Sequence, residues 1–159
     1  MSRSGANLAL LMLGGFRSLV DAATIELANR GYDDVRPLHD FALRAVAAGA
    51  DSASELGRRM SVTKQAAART VATLEERGYV VRTPDPADAR RMRIEVSDRG
   101  FAVLQEGEGI FDDLRTQWQQ RIGPEKLAEL ESLLTELVGP QPVRFDTPGW
   151  LARDLGEST

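Results

Sequence analysis

The sequence predicts a mainly α-helical fold carrying one small β-hairpin (α+β). Three observations predict it. Aromatic residues make up only 6% of the chain against 42% apolar residues, so the core must be built from Leu, Val and Ala, and Ala and Leu favour helix. Start and stop residues, mostly Ser, Thr and Pro at one end and Gly at the other, divide most of the chain into helical segments. One stretch, residues 79–96, has instead two strand-like runs, the second of them alternating, around a Pro/Asp-rich turn.

The elements follow in order. Leu8, Leu11, Phe16, Leu19, Ala23 and Leu27 recur at spacings of three to five and predict a first helix over 6–30, stopped by Gly31. Arg3 and the apolar run 6–16 imitate a short signal peptide, but the run is too short to span a bilayer and continues into Arg17, Asp21 and Glu26 at helical spacing. Pro37 opens a second helix to about 48, with Leu38, Phe41, Leu43 and Val46 apolar and Gly49 closing it. Ser52-Ala53-Ser54-Glu55 is a capping box, in which Ser52 caps the amide three residues on and Glu55 reaches back. The short helix it opens, about 53–59, ends before Ser61-Val62, and Thr63 caps a longer helix running to Arg77, with Gly78 as terminator.

Short capped helix, tight turn, longer helix is the order of a helix-turn-helix. Residues 79–83 and 92–96 then read as the two strands of a hairpin across Pro84-Asp85-Pro86-Ala87-Asp88, a wing with its basic residues at and after the tip. Ser97 caps a long helix over about 98–121 whose middle is weakened by Gly107 and Gly109. Gly123-Pro124 opens a last helix to about 138, where Leu127, Leu130, Leu134 and Leu137 at 3-4-3 spacing suit a helix–helix seam. Residues 140–159 form a tail, with a short helix over 148–155 docking through Trp150 and Leu151. The organisation expected is an N-terminal dimerisation helix (1–36), a winged helix-turn-helix lobe (37–97), C-terminal dimerisation helices (98–139) and the tail (140–159).

Charge patterning points the same way. The chain carries −4 overall, yet residues 58–93 hold nine basic and four acidic side chains, a block of +5 in a body of −9. A basic block in an acidic body is the footprint of a phosphate-facing surface. With no cysteine, disulfides, thiolate zinc sites and thiol switches are excluded, and one histidine cannot build a multi-histidine metal site. No nucleophile–base set or nucleotide-binding loop is present, so neither an enzyme, a cofactor nor a metal is expected. The pairs Asp33-Asp34, Glu75-Glu76 and Asp112-Asp113 are read as solvated charges, since neighbours point to different sides of a helix.

Residues 37–138 resemble the MarR family of bacterial transcription regulators. The resemblance rests on Ser54-Glu55-Leu56, Val62-Thr63-Lys64-Gln65-Ala66, the run Leu74-Glu75-Glu76-Arg77-Gly78-Tyr79-Val80, then Pro84-Asp85-Pro86-Ala87-Asp88-Ala89-Arg90-Arg91, and Ser97-Asp98-Arg99-Gly100. It implies a cytoplasmic homodimer whose terminal helices interlock and whose two winged lobes read a palindromic double-stranded DNA operator, usually as a repressor. Ala67 and Ala68 depart from the family's bulkier and more polar residues, and the tail exceeds its core pattern.

The longer helix is expected in the major groove. Thr63 suits a phosphate, Gln65 an adenine, Lys64 or Arg69 a guanine, and Ala68 a thymine methyl. Arg90, Arg91 and Arg93 are the wing cations. Arg90 resembles the family's minor-groove arginine and Asp88 its buttress, holding the guanidinium by a bidentate pair. Arg58 and Arg59 are expected on the DNA backbone. Many members of the family also bind a small, often aromatic and anionic effector, for which Phe16, Arg17, His39, Leu43 and Phe101 are the expected lining. The alternative to a regulator is a winged-helix protein-interaction module that does not read DNA sequence.

Overall fold

The computed structural model describes residues 4–139. Six helices and one hairpin follow in the order α1 (Gly5–Asn29), α2 (Pro37–Ala47), α3 (Ala53–Met60), α4 (Lys64–Glu76), β1 (Val80–Pro84), β2 (Met92–Val96), α5 (Asp98–Ile122) and α6 (Pro124–Val138). The expected helix over 148–155, with Trp150 and Leu151, lies outside the described residues.

Local chemistry sets the boundaries. Ser4, Ser52, Thr63 and Ser97 each accept a hydrogen bond from the amide three residues on, at 3.0–3.2 Å, and so cap α1, α3, α4 and α5. The capping box at α3 is half of what the sequence suggests. The Glu55 carboxylate binds Arg58 and Arg59, at 2.6 and 2.8 Å, instead of reaching back to Ser52. At α2 the box is completed by the lone histidine, whose Nδ1 accepts from the Arg36 amide at 3.0 Å. Gly78 takes φ +78°, the left-handed conformation that ends α4 and turns the chain into β1.

The two strands pair antiparallel from Val80 opposite Val96 to Pro84 opposite Met92, leaving 85–91 as the hairpin loop. Residue 51 joins this hairpin from the α2–α3 connection, its carbonyl accepting from the Ile94 amide at 2.9 Å. Leu43, Leu56, Val71, Leu74, Tyr79 and Val80 are fully buried where α2, α3, α4 and β1 converge, and Val103 and Ile110 of α5 extend the same core. Each large apolar side chain removed from water there contributes about 1.5–3 kcal/mol.

The helix-turn-helix closes over Gly57. A Cβ there would lie 3.0 Å from the Val62 carbonyl and 3.3 Å from that of Thr63, so the turn 61–63 can approach α3 closely. The α5 helix runs unbroken through Gly107 and Gly109. Gly107 serves packing, because a Cβ at that position would sit 3.4 Å from the Asp40 carboxylate.

The terminal helices are covered unevenly. By length and composition α1 would pass for a membrane span. Its second half buries Val20, Ala23 and Leu27, while Leu8 and Leu11, predicted in the same stripe, are 59% and 66% exposed. In α6 only Leu127 of the leucine seam is buried, and Leu137 is 80% exposed.

Candidate nucleic-acid interface

The site is built where α4 and the wing reach solvent together. The first two turns of α4 expose Lys64, Gln65 and Arg69, with Ala68 half-buried between them and Ala67 turned into the core. The small Ala67 is thus a packing residue, 1% exposed and part of the same core cluster as Leu56 and Met60 of α3. Thr63 is exposed, and its hydroxyl oxygen is engaged by the Ala66 amide at 3.0 Å, leaving its O–H free to donate outward.

The wing loop is folded by its own carboxylates. Asp85 accepts from the Ala87 amide at 2.9 Å and Asp88 from the Arg90 amide at 3.0 Å, two consecutive Asx turns. Main-chain bonds from Asp85 N–H to the Arg91 carbonyl (2.9 Å) and from Arg91 N–H to the Asp88 carbonyl (3.0 Å) close the loop. The role expected of Asp88 is therefore corrected. It supports Arg90 through the backbone, and its carboxylate does not hold the guanidinium.

Ion pairing sorts the nine cations of the basic block. Arg58 and Arg59 bind Glu55, and Arg59 also donates to the Ala48 carbonyl at 2.9 Å, closing the C-terminus of α2. These two pairs draw the Glu55 carboxyl down to about 2. Arg58 and Arg59, expected on the DNA backbone, thus both pair within the lobe, while the Arg58 side chain stays 75% exposed. Arg77 donates to the Asp34 carbonyl, Arg82 pairs with Glu75 at 2.9 Å, Arg91 with Asp51 at 3.3 Å, and Arg93 lies 3.9 Å from Asp51 and 4.0 Å from Glu95. Lys64, Arg69 and Arg90 are left exposed with no ion pair among the described residues. Two stand on α4 and one on the wing.

Two acids read as solvated charges are bound. Glu75 takes Arg82, and Asp34 accepts from the Tyr79 hydroxyl at 2.7 Å. Burial and that carboxylate push the Tyr79 phenol up to about 12, so it stays a donor. Arg99 stacks over the Tyr79 ring at 4.9 Å and the Tyr32 ring at 5.9 Å, tying α5 to the end of α4. Asp51 was missed altogether. Its only sequence signal is an acid directly before the capping Ser52, and nothing local says that it reaches the wing.

The five positions expected around an effector fall on three elements, Phe16 and Arg17 on α1, His39 and Leu43 on α2, and Phe101 on α5. Leu43 is fully buried in the core, and His39 holds the N-terminus of α2. Phe101, 54% exposed, lines a shallow depression with Arg44, Ala47, Ala48 and Leu104, away from Phe16 and Arg17 on α1.

This fold and surface define a winged helix-turn-helix protein. Residues 37–91 match the sequence model of the MarR family. A curated relative, the HTH-type transcriptional regulator BilQ of Clostridioides difficile, is 30% identical over 74 residues, 46% of this chain and 47% of the relative. The chain thus matches about half the length of that relative. Among solved structures, the reduced form of MarR from E. coli superposes with a TM-score of 0.69 at 21% identity, over 87% of this chain and 98% of that one. A MarR-family transcriptional regulator from Rhodococcus sp. RHA1 gives 0.64 at 20% identity, over 88% and 100%. The S. aureus MepR F27L mutant bound to an oligodeoxyribonucleotide gives 0.60 at 16% identity, over 82% and 95%. At such identities the structures show the fold alone, and it is residues 37–91 that match the family's sequence model. The resemblance to the MarR family is borne out.

Proposed function

We propose that this chain is a homodimeric, sequence-specific DNA-binding regulator of transcription, a repressor that leaves a palindromic operator when a small effector binds. The observation that carries DNA binding is the sorting of the basic block. Six of its nine cations have a partner within the lobe, and Lys64, Arg69 and Arg90, without one among the described residues, remain for phosphates and base edges on α4 and the wing. Within the block these three are the cations that no described carboxylate neutralises, and they stand on the lobe's two DNA-reading elements. A protein of the same fold, the S. aureus MepR F27L mutant, is itself bound to an oligodeoxyribonucleotide, which supports DNA as the partner.

In this reading α4 lies in the major groove with Gln65 on a base edge, Thr63 on a phosphate, Ala68 beside a thymine methyl, and Lys64 and Arg69 on guanines or phosphates. Arg90 enters the adjoining minor groove. Dimerisation places two such lobes on successive grooves. The uncovered apolar faces of α1 (Leu8, Leu11) and α6 (Leu130, Leu133, Leu137) are what a second copy would bury. An effector acts by favouring a lobe spacing that no longer matches successive major grooves. A cytoplasmic location follows from this role.

The test is a binding titration against the DNA upstream of its own coding region and against duplexes selected from a random pool, at two salt concentrations. Salt-sensitive binding with preference for one palindrome supports the reading. A folded dimer that prefers no sequence overturns it in favour of a protein-interaction module.

A further inference from the structure

We propose that Asp51 is the positioning residue of the wing: its carboxylate holds Arg91 and Arg93 against the lobe, leaving Arg90 alone of the three wing arginines to meet DNA. This rests on the DNA-binding reading above and adds a division of labour to it.

Asp51 stands in the α2–α3 connection, one residue before the Ser52 cap, and contacts the wing twice. Its carbonyl takes the Ile94 amide at 2.9 Å, a main-chain bond any residue could make. Its carboxylate adds what only an acid supplies. One oxygen lies 3.3 Å from Arg91 Nη2, the other 3.9 Å from Arg93 Nε. That Nε is shut off from solvent and has no hydrogen-bond partner, so the nearby carboxylate charge is what compensates it there.

The pairing moves the anchor of the wing outward. Ile94 alone would tether β2 in its middle. The Arg91 pair carries the tether to the edge of the loop, where the Asp85 amide meets the Arg91 carbonyl at 2.9 Å. Arg90 is the next residue, and its amide is already fixed by Asp88 at 3.0 Å. One carboxylate therefore sets how far the wing stands from α4, and with it where the Arg90 guanidinium can reach. Because two guanidiniums neutralise Asp51, its charge can lie near a phosphate backbone without repelling it.

The experiment compares wild type, Asp51→Asn, Arg91→Ala, the double variant and Arg90→Ala. Binding to a mixed-sequence duplex and to a selected duplex is measured across a salt series, and amide hydrogen exchange is measured on the free proteins. Asp51→Asn and Arg91→Ala should each weaken binding about tenfold with the salt slope unchanged, and the double variant should be no worse than either single one. Arg90→Ala should flatten the slope by about 1. Without DNA, Asp51→Asn should speed exchange at the Ile94, Arg91 and Asp85 amides. Tighter binding with a steeper slope in Asp51→Asn, or a slope flattened by Arg91→Ala, would show Arg91 on phosphate and overturn the proposal. Unchanged exchange in Asp51→Asn overturns it without reference to DNA. A wild type that binds no duplex at any salt, with exchange altered as expected, sinks the regulator reading and leaves Asp51 as a structural staple only.

Discussion

The Asp88 carboxylate accepts a hydrogen bond from the Arg90 backbone amide at 3.0 Å while the Arg90 side chain stays exposed and without an ion pair among the described residues. An acid two residues before an arginine would ordinarily be suspected of neutralising it. Here the acid shapes the turn and leaves the cation available, which costs nothing in positive potential at the wing tip beyond the acid's own charge.

That geometry separates two substitutions. Asparagine at 88 retains an oxygen acceptor for the Arg90 amide and removes a negative charge, so Asp88→Asn should bind DNA as well as wild type or better. Asp88→Ala loses the turn and should weaken binding about tenfold. Fluorescence anisotropy with a labelled duplex reads both. Equal losses in the two variants would mean that the carboxylate charge matters and that the backbone bond does not.

On α4, side chains at base edges and side chains at phosphates should fail differently. Gln65→Ala should cost about 1–3 kcal/mol on the selected operator and relax preference at one position, with little change on mixed-sequence DNA. Lys64→Ala should weaken binding to both duplexes alike and lower the salt slope by about 1 if it sits on a phosphate. Competition binding against single-base operator variants checks this, and a uniform loss for Gln65→Ala would remove it from the base edge.

Much of this was legible in the residues, for a physical reason. Ser52, Thr63 and Ser97 are local devices, as are Gly78 and the alternation in 92–96, and each acts within a few residues of itself. The helix-turn-helix and the wing could accordingly be placed to within a residue or two. What escaped depends on distance in sequence. Asp51 meets Arg91 forty positions on, and Asp34 meets Tyr79 forty-five positions on. No periodicity reports such pairs, so Arg91 and Arg93 read as free wing cations and Asp34 as a solvated charge. The apolar stripe of α1 shows a second limit, because periodicity marks a face to be buried without saying whether its own chain or a second copy buries it.

Gly100 is the strictest packing constraint. A Cβ there would come within 2.2 Å of the Tyr79 carbonyl oxygen and 2.6 Å of Val96 Cγ1, where α5 starts against the hairpin. Backbone cannot yield as a flexible side chain would, so Gly100→Ala should destabilise by about 1–3 kcal/mol or more. Gly109, on the same helix, where a Cβ would meet nothing beyond its own helix backbone within 4 Å, is the control. Gly109→Ala should gain roughly 0.5–1 kcal/mol. Urea unfolding of both variants gives the sign directly.

The α6 seam tests the dimer. Leu130 is 38% exposed and Leu134 half-buried in the single chain, a wasteful arrangement unless a second copy covers them. Replacing both by Glu should give a folded monomer with weakened DNA binding, because one lobe reads one half-site. Sedimentation equilibrium decides it, and a tight dimer persisting in the double variant would move the interface elsewhere.

His39 supplies a pH dependence whose sign can be worked out. Its Nδ1 accepts from the Arg36 amide at 3.0 Å, and the Arg77 guanidinium lies 3.4 Å away. Burial first, and then the Arg77 charge, lower its pKa from the ordinary 6.5, against a smaller opposing pull from Asp34. A proton on Nδ1 would end the cap and set two cations side by side. Between the lowered value and 6.5 the unfolded chain binds more protons than the folded one, so stability rises with pH through that window. The contribution is fully present above 6.5 and is lost as the pH falls toward the folded value. Glutamine at this position can keep the cap without titrating, so His39→Gln should flatten the wild-type loss of stability on mild acidification while matching it near neutrality. As the chain has one histidine, its imidazole proton signal can be followed alone. A titration midpoint at or above 6.5 would show that neither burial nor Arg77 governs it.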